Sequence, residues 1–223
     1  MIDELIQCNQ SLQKENLVIY TWGNVSCREG KYILIKPSGV KFDDLSKENI
    51  SKIDISSEDL ISGYKPSVDT PTHIHLYKNF RNINAVVHTH SKYATIFAQA
   101  KKPIPCLGTT HADYFYGDIP LVDDLSYDEI ENNYEQNTGK KIVQYFKKNS
   151  IDPLNMGAAL CPSHGVFTWG KDLSSALKNA IVLEYIAEVA YKTLVLNPEP
   201  NFNNELLDKH FLRKHGKKSY YGQ

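Results

Sequence analysis

The feature that most constrains this chain is the run Ala85-Val86-Val87-His88-Thr89-His90. Three apolar residues, two of them β-branched, lead into two histidines separated by one residue. A short apolar run of this kind reads as a buried strand. Side chains at i and i+2 of a strand leave the same face, so His88 and His90 can close on one ion. Imidazole suits a borderline divalent metal, and a catalytic zinc centre keeps about three protein ligands and an open position. By itself an H-x-H pair is equally consistent with two half-buried histidines bonded to backbone, so the remaining sequence decides.

Composition narrows the field. A chain of 223 residues with 41% hydrophobic and 23% charged residues fits one soluble globular domain, residues 1–223, with a well-buried core. The net charge of -1 gives no reason to expect nucleic acid or an anionic membrane as partner. The opening residues include Asp3 and Glu4 and no long apolar run, which predicts neither a signal peptide nor a membrane span. Cys8, Cys27, Cys106 and Cys161 are scattered and form no C-x-x-C pair, as expected of thiols kept in a reducing cytoplasm. Cys161, three residues before His164, offers a metal ligand, but the preferred reading is a small buried apolar side chain.

Taken in order, Ile2, Leu5, Ile6 and Leu12 follow helical spacing, predicting an amphipathic helix from residue 2 to about 16. The β-rich runs 17–20 and 32–35, joined through Arg28-Glu29-Gly30-Lys31, predict a hairpin-like pair, and another strand is expected near 50–55. Asp69-Thr70-Pro71-Thr72 predicts a helix start, with Thr70 as N-cap and Pro71 at the first helical position. On that helix His73 and His75 lie about 200° apart and face away from each other, which assigns the metal to the later pair. Residues 91–101 read as a helix, and Gly108 to Tyr114 as an irregular site loop. Ser126-Tyr127-Asp128-Glu129 resembles a capping box opening a helix to about Lys148. Strands are expected at 158–161 and 165–169, bracketing Ser163-His164, followed by a long helix capped by Asp172. A last helix is expected near 203–214. Helices on a sheet rich in hairpins predict a single-domain layered α/β sandwich with a mixed or antiparallel central sheet.

Three histidines then offer neutral nitrogen ligands: His88 and His90 from one strand and His164 from a second strand turn. Asp69, at a helix mouth, offers a carboxylate as ligand or acid/base group, or merely caps that helix. Gly23-Asn24, Lys36-Pro37-Ser38-Gly39 and Lys65-Pro66-Ser67 are short turns with amide, hydroxyl and ammonium donors, a composition that holds phosphate.

Thr21-Trp22-Gly23-Asn24-Val25-Ser26, Lys36-Pro37-Ser38-Gly39-Val40, Asp69-Thr70-Pro71-Thr72-His73 and Val87-His88-Thr89-His90-Ser91 resemble the class II aldolase/epimerase family. Gly108-Thr109-Thr110-His111-Ala112-Asp113-Tyr114-Phe115-Tyr116-Gly117, Ser163-His164-Gly165 and Leu207-Asp208-Lys209-His210 through Gln223 extend the likeness over nearly the whole chain. The last two blocks are similar to its epimerase branch. The resemblance implies an α/β/α sandwich with zinc on His88, His90 and His164 and with Asp69 as fourth ligand or close neighbour. It implies a phosphate pocket from Gly23, Asn24, Lys36, Ser38, Gly39 and Ser67. Val68 stands where that branch has a second serine, so any contact there falls to its backbone N–H. It further implies that Asp113 and Tyr221 form an acid/base pair given by the neighbouring subunit of a C4 homotetramer, with Thr109 and His210 in support.

The implied activity inverts C4 of a phosphorylated pentulose, L-ribulose 5-phosphate. That carbon bears no acidic hydrogen, so simple deprotonation cannot invert it, whereas cleaving and remaking the C3–C4 bond around a rotated aldehyde can. The C4 oxygen then occupies two positions, which calls for two proton-transfer groups. The alternatives are an aldolase that releases the aldehyde, from a substrate such as L-fuculose 1-phosphate, and a non-catalytic assembly domain like that of adducin. Such aldolases carry a glutamate where this chain has Asp69, and the intact histidine set argues against the assembly domain.

Overall fold

The computed structural model describes residues 1–216, 219 and 220. In chain order its elements are α1 (Ile2–Lys14), β1 (Asn24–Glu29), β2 (Tyr32–Ile35), β3 (Ser51–Asp54), β4 (Leu60–Ser62), α2 (Thr70–Asn79), β5 (Ala85–Thr89) and α3 (Lys92–Gln99). They continue with α4 (Thr109–Ala112), α5 (Tyr127–Glu131), α6 (Tyr134–Lys148), β6 (Ala158–Cys161), β7 (Gly165–Gly170), α7 (Leu173–Leu196) and α8 (Asn204–His215). The strands form one sheet in the order β4-β3-β2-β1-β5-β7-β6, with every pairing between them antiparallel.

Strand alternation sorts the core into two layers. Ile33, Ile35 and Val86 face a core completed by Ile74 and Tyr77 of α2 and by Ile142 and Phe146 of α6. Val25, Cys27, Leu34, Ala85 and Val87 face the other side, against Leu5 and Leu12 of α1 and Ala176 and Ala180 of α7. Every residue of β5 is buried, as its place between β1 and β7 requires. The layered α/β sandwich expected from the sequence is therefore present. Among the described residues no helix is long and apolar enough to cross a membrane.

Several boundaries differ from the sequence reading. Residues 17–20 form no strand; Leu17 and Val18 pack into the α1 core, and Tyr20 takes a positive φ of 53°. The partner of β2 is instead Asn24–Glu29, because Gly30, at φ 62°, closes a tight hairpin that pairs Glu29 with Tyr32. The helix expected from Ser126 to Lys148 is two helices: the capping box at Ser126 and Glu129 forms, but Asn133 at φ 59° breaks the ladder. Asp69 rather than Thr70 holds the N-cap position of α2. Residues 108–114, expected to be irregular, contain the single turn α4. Strand β4, exposed along its length, has no signal strong enough to predict it.

Within α4, His111 donates from Nε2 to Gly117 O at 2.8 Å and is buried. Burial pushes its imidazole from 6.5 down to about 4. A group with a lowered folded pKa supports folding above its unfolded value, and that support is lost as pH falls from 6.5 toward 4. His111→Gln keeps a donor for Gly117 O but does not titrate. Denaturant unfolding at about pH 7 and pH 5 is expected to show wild type losing on the order of 1–2 kcal/mol more than this variant. Equal losses in both proteins refute the neutral buried histidine.

Candidate metal centre and substrate cavity

His88 is the fixed point of the site. Its Nδ1 donates to Val166 O at 3.0 Å, which settles the tautomer and leaves Nε2 as a free lone pair. Its ring stacks on Phe167, its cross-strand partner in β7, with centroids 4.2 Å apart and planes at 18°. His90 follows one residue beyond the end of β5 and brings its Nε2 to 3.0 Å from that of His88. His164 arrives on the β6–β7 turn, where Ser163 sits at a strained φ of 56°. One nitrogen from each of the three rings lies within 4.8 Å of the others.

The donor set fits a divalent metal. His164 has a buried Nδ1 with no hydrogen-bond partner among the described residues, and the Nε2 atoms of His88 and His90 stand 3.0 Å apart, close enough to share one ion. Burial first, and then the neighbouring imidazoles, push His164 down to about 3. Burial and then His88 likewise lower His90. Neutral imidazole is the form a metal takes, and three of them suit zinc and its neighbours.

Asp69 stands beside this centre, with Oδ2 4.0 Å from His88 Nε2. Although it occupies the N-cap position of α2, its side chain makes no capping bond. Its Oδ2 accepts instead from Asn24 Nδ2 at 2.8 Å and Ser67 Oγ at 3.3 Å. Burial works to raise the Asp69 carboxyl, but His88, His73 and the Asn24 amide outweigh it and hold it below its ordinary value.

The histidines open onto a cavity of about 430 Å³. Gly23, Asn24, Lys36, Ser38, Gly39, Ser67, Val68 and Asp69 all line it, so the residues expected to hold phosphate and metal meet in one place. The turns at 36–39 and 65–67 are tied together by Ser38 N donating to Lys65 O at 2.9 Å and Ser67 N donating to Lys36 O at 3.2 Å. Lys36 is only 2% exposed. Its ammonium donates to Thr21 O at 3.2 Å, lies 4.8 Å over the Phe42 ring, and meets no carboxylate among the described residues. Burial lowers it to about 8. Gly23 has φ 86°, and a Cβ there would stand 2.7 Å from Val18 Cγ1 and 2.9 Å from His88 O. Only glycine lets that loop lie against the metal strand.

The remaining predicted residues are elsewhere in this chain. Thr109 lines a separate cavity of about 240 Å³ against α7. Asp113 and His210 line neither that cavity nor the one at the histidines. Asp113 accepts from His210 Nδ1 at 3.0 Å and from Arg213 Nε at 3.2 Å and Nη2 at 2.9 Å, while His215 Nε2 donates to its backbone oxygen at 2.9 Å. Burial favours raising its pKa, yet Arg213 and His210 hold it below the ordinary value. Tyr221 falls outside the described residues. His73 and His75 stay apart from the metal centre, as expected: His73 Nδ1 meets Ser26 Oγ at 2.7 Å, and His75 packs beside Gly139.

Sequence reasoning missed Thr21, Trp22, Tyr134 and Glu135, which also line the cavity. Tyr134 and Glu135 begin α6 at a break that no residue pattern signals. Gly165 was also missed: a Cβ there would lie 2.7 Å from Thr89 O and 3.1 Å from His90 Cδ2. Its place directly after His164 was the available signal.

Residues 3–191 match the family model described as class II aldolase and adducin N-terminal domain, and the chain belongs to that family. It is 43% identical over 223 residues to L-ribulose-5-phosphate 4-epimerase UlaF of Salmonella paratyphi C, covering 99% of this chain and 97% of that one. Among solved structures, an L-fuculose 1-phosphate aldolase superposes with a TM-score of 0.79 at 23% identity, covering 94% of this chain and 93% of its own. The L-fuculose-1-phosphate aldolase of Thermus thermophilus does so with 0.69 at 20%, covering 90% and 97%. At such identities the structures attest the fold.

The centre makes separable demands on its residues. His88→Ala, His90→Ala and His164→Ala are expected to lose bound metal while far-ultraviolet circular dichroism stays unchanged, and His75→Ala is expected to keep it. Gly165→Ala is expected to lower metal affinity because its methyl displaces the His90 ring. Metal analysis after dialysis checks all five, and retention by His88→Ala removes it from the ligand set.

Proposed function

We propose that this chain is a zinc-dependent L-ribulose-5-phosphate 4-epimerase, a cytoplasmic homotetramer serving pentose catabolism such as that of arabinose. The observation that carries the reading is the convergence of three imidazoles and a buried ammonium, with no carboxylate partner among the described residues, on one cavity. Full-length likeness to an enzyme of that name supports the substrate. Release of the aldehyde by an aldolase acting on L-fuculose 1-phosphate, the alternative, has fold likeness alone behind it.

In this reading Lys36 supplies the charge for the phosphate, Asn24, Ser38 and Ser67 supply side-chain donors, and Gly23 and Gly39 supply backbone amides. Val68 gives its backbone N–H only. His88, His90 and His164 hold zinc, which when bound supplies Lewis-acid stabilisation of the charge that builds as C3–C4 breaks. Asp69 is assigned as an orienting neighbour, because the oxygen nearest His88 already accepts from Asn24 and Ser67. Asp113 and Tyr221 of a neighbouring subunit hold and return the proton at the two positions of the C4 oxygen, with Thr109 and His210 beside them. That Asp113 does not line the cavity of its own chain supports a shared site.

Zinc-loaded protein given L-ribulose 5-phosphate is expected to form D-xylulose 5-phosphate. Accumulation of dihydroxyacetone phosphate and glycolaldehyde as main products would favour the aldolase instead. Lys36→Ala is expected to raise KM by about tenfold or more with a smaller change in kcat, and Val68→Ser to lower KM slightly. An unchanged KM in Lys36→Ala places the phosphate elsewhere.

The shared site is testable by mixing. His88→Ala and Tyr221→Phe should each be inactive. Unfolded together and reassembled in equal amounts, they should regain about a quarter of wild-type activity, since that fraction of sites in a ring pairs a good metal half with a good tyrosine. Activity no higher than the separate variants, despite proven mixing, would confine Tyr221 to its own chain.

A further inference from the structure

His88 and His90 are held in different ways. His88 sits inside β5 and its second nitrogen is anchored on Val166 O. His90 lies past the strand end, is exposed, and has no hydrogen bond from its second nitrogen among the described residues. Its position therefore depends on the backbone either side of it: β5 before, and the first turn of α3 after.

That first turn is capped in an unusual way. Ser91 occupies the N-cap position of α3 with an extended φ of -60° and ψ of 141°, yet its side chain makes no capping bond. Its hydroxyl is buried and has no hydrogen-bond partner among the described residues. The amides that an N-cap side chain would satisfy are those of Tyr93 and Ala94. Both donate instead to Glu184, in the middle of α7: Tyr93 N to Oε1 at 2.8 Å and Ala94 N to Oε2 at 3.0 Å. The two oxygens of one carboxylate thus grip two consecutive amides three and four residues beyond His90, where the helix dipole favours negative charge. Helix α7 also packs on β5 and β7, which carry His88 and its anchor. One helix consequently references both sides of the centre.

We propose that Glu184 is a positioning residue for the metal centre, fixing His90 through the first turn of α3. This inference rests on the reading of His88, His90 and His164 as metal ligands. Without the grip, α3 is free to shift at its first turn, and His90 has no second anchor to keep its ring on the ion. Orienting contacts of this kind are worth about tenfold or more in metal affinity when removed.

The test is zinc affinity of the full chain, measured by competition with a chromophoric chelator, alongside thermal unfolding of the metal-free protein. Glu184→Gln keeps the side-chain volume and one acceptor, so it stays folded even if Glu184→Ala does not. It is expected to weaken zinc binding about tenfold. His90→Ala, although it gives up its metal on dialysis, is expected to bind added zinc weakly through His88 and His164. In that background the same change is expected to have no further effect on the residual affinity, because the ligand it positions is gone. Equal weakening in both backgrounds, or a lowered Tm with unchanged affinity, overturns the proposal and leaves Glu184 a helix cap. Wild type binding zinc no better than His88→Ala overturns the metal reading itself, and the positioning role with it.

Discussion

The structure depends on the pairing of β5 with β7. That register sets His88 opposite Phe167 and Thr89 opposite Val166. It does three things at once. It buries the apolar run 85–87, stacks the His88 ring on an aromatic face, and supplies the carbonyl that fixes which nitrogen is left for a metal. A slip by one residue would turn His88 to the α1 side of the sheet and take the anchor away. The turn that follows β6 and enters β7 carries His164, so the same pairing delivers the third histidine of the cluster.

Around this strand the site is assembled by loops that could not pack themselves. Gly23 lets the loop before β1 touch the backbone of His88, and the turns at Lys36 and Ser67 are stitched to one another by main-chain bonds. Asn24 joins the two halves, bonding Ser67 and Asp69 through one amide. The result places a desolvated ammonium on one side of a cavity and desolvated imidazoles on the other. Both are costly arrangements for an empty protein. Such costs are tolerated where a charged ligand repays them, which is the physical sense in which the cavity reads as a phosphate and metal site.

Much of this was legible beforehand because it follows from local chemistry. The i, i+2 histidines and the placement of His73 and His75 on a helix separate the metal pair from its look-alike by periodicity alone. The caps at Ser126 and Asp172 formed as their residues suggest. Errors fell where propensity competed with packing. Residues 17–20 are β-rich but lie under α1, and the more polar Asn24–Glu29 takes the strand because a glycine hairpin dictates its register. The helix break at Asn133, which brings Tyr134 and Glu135 to the cavity, is invisible in a pattern that reads as continuous.

The sequence by itself therefore determined the His88 and His90 pair, the buried strand that leads into it and the family resemblance, since each is written in short runs of residues. Only the tertiary structure decided how these parts act on one another. It showed that Asp69 turns from its helix to Asn24 and Ser67, that Asp113 is gripped by α8 away from the cavity, and that Glu184 caps a helix not its own. Asp113 and Arg213 are 100 positions apart, and Glu184 and Tyr93 are 91 apart. Contacts over such separations arise from packing of whole elements, and a single sequence carries no periodicity that encodes them.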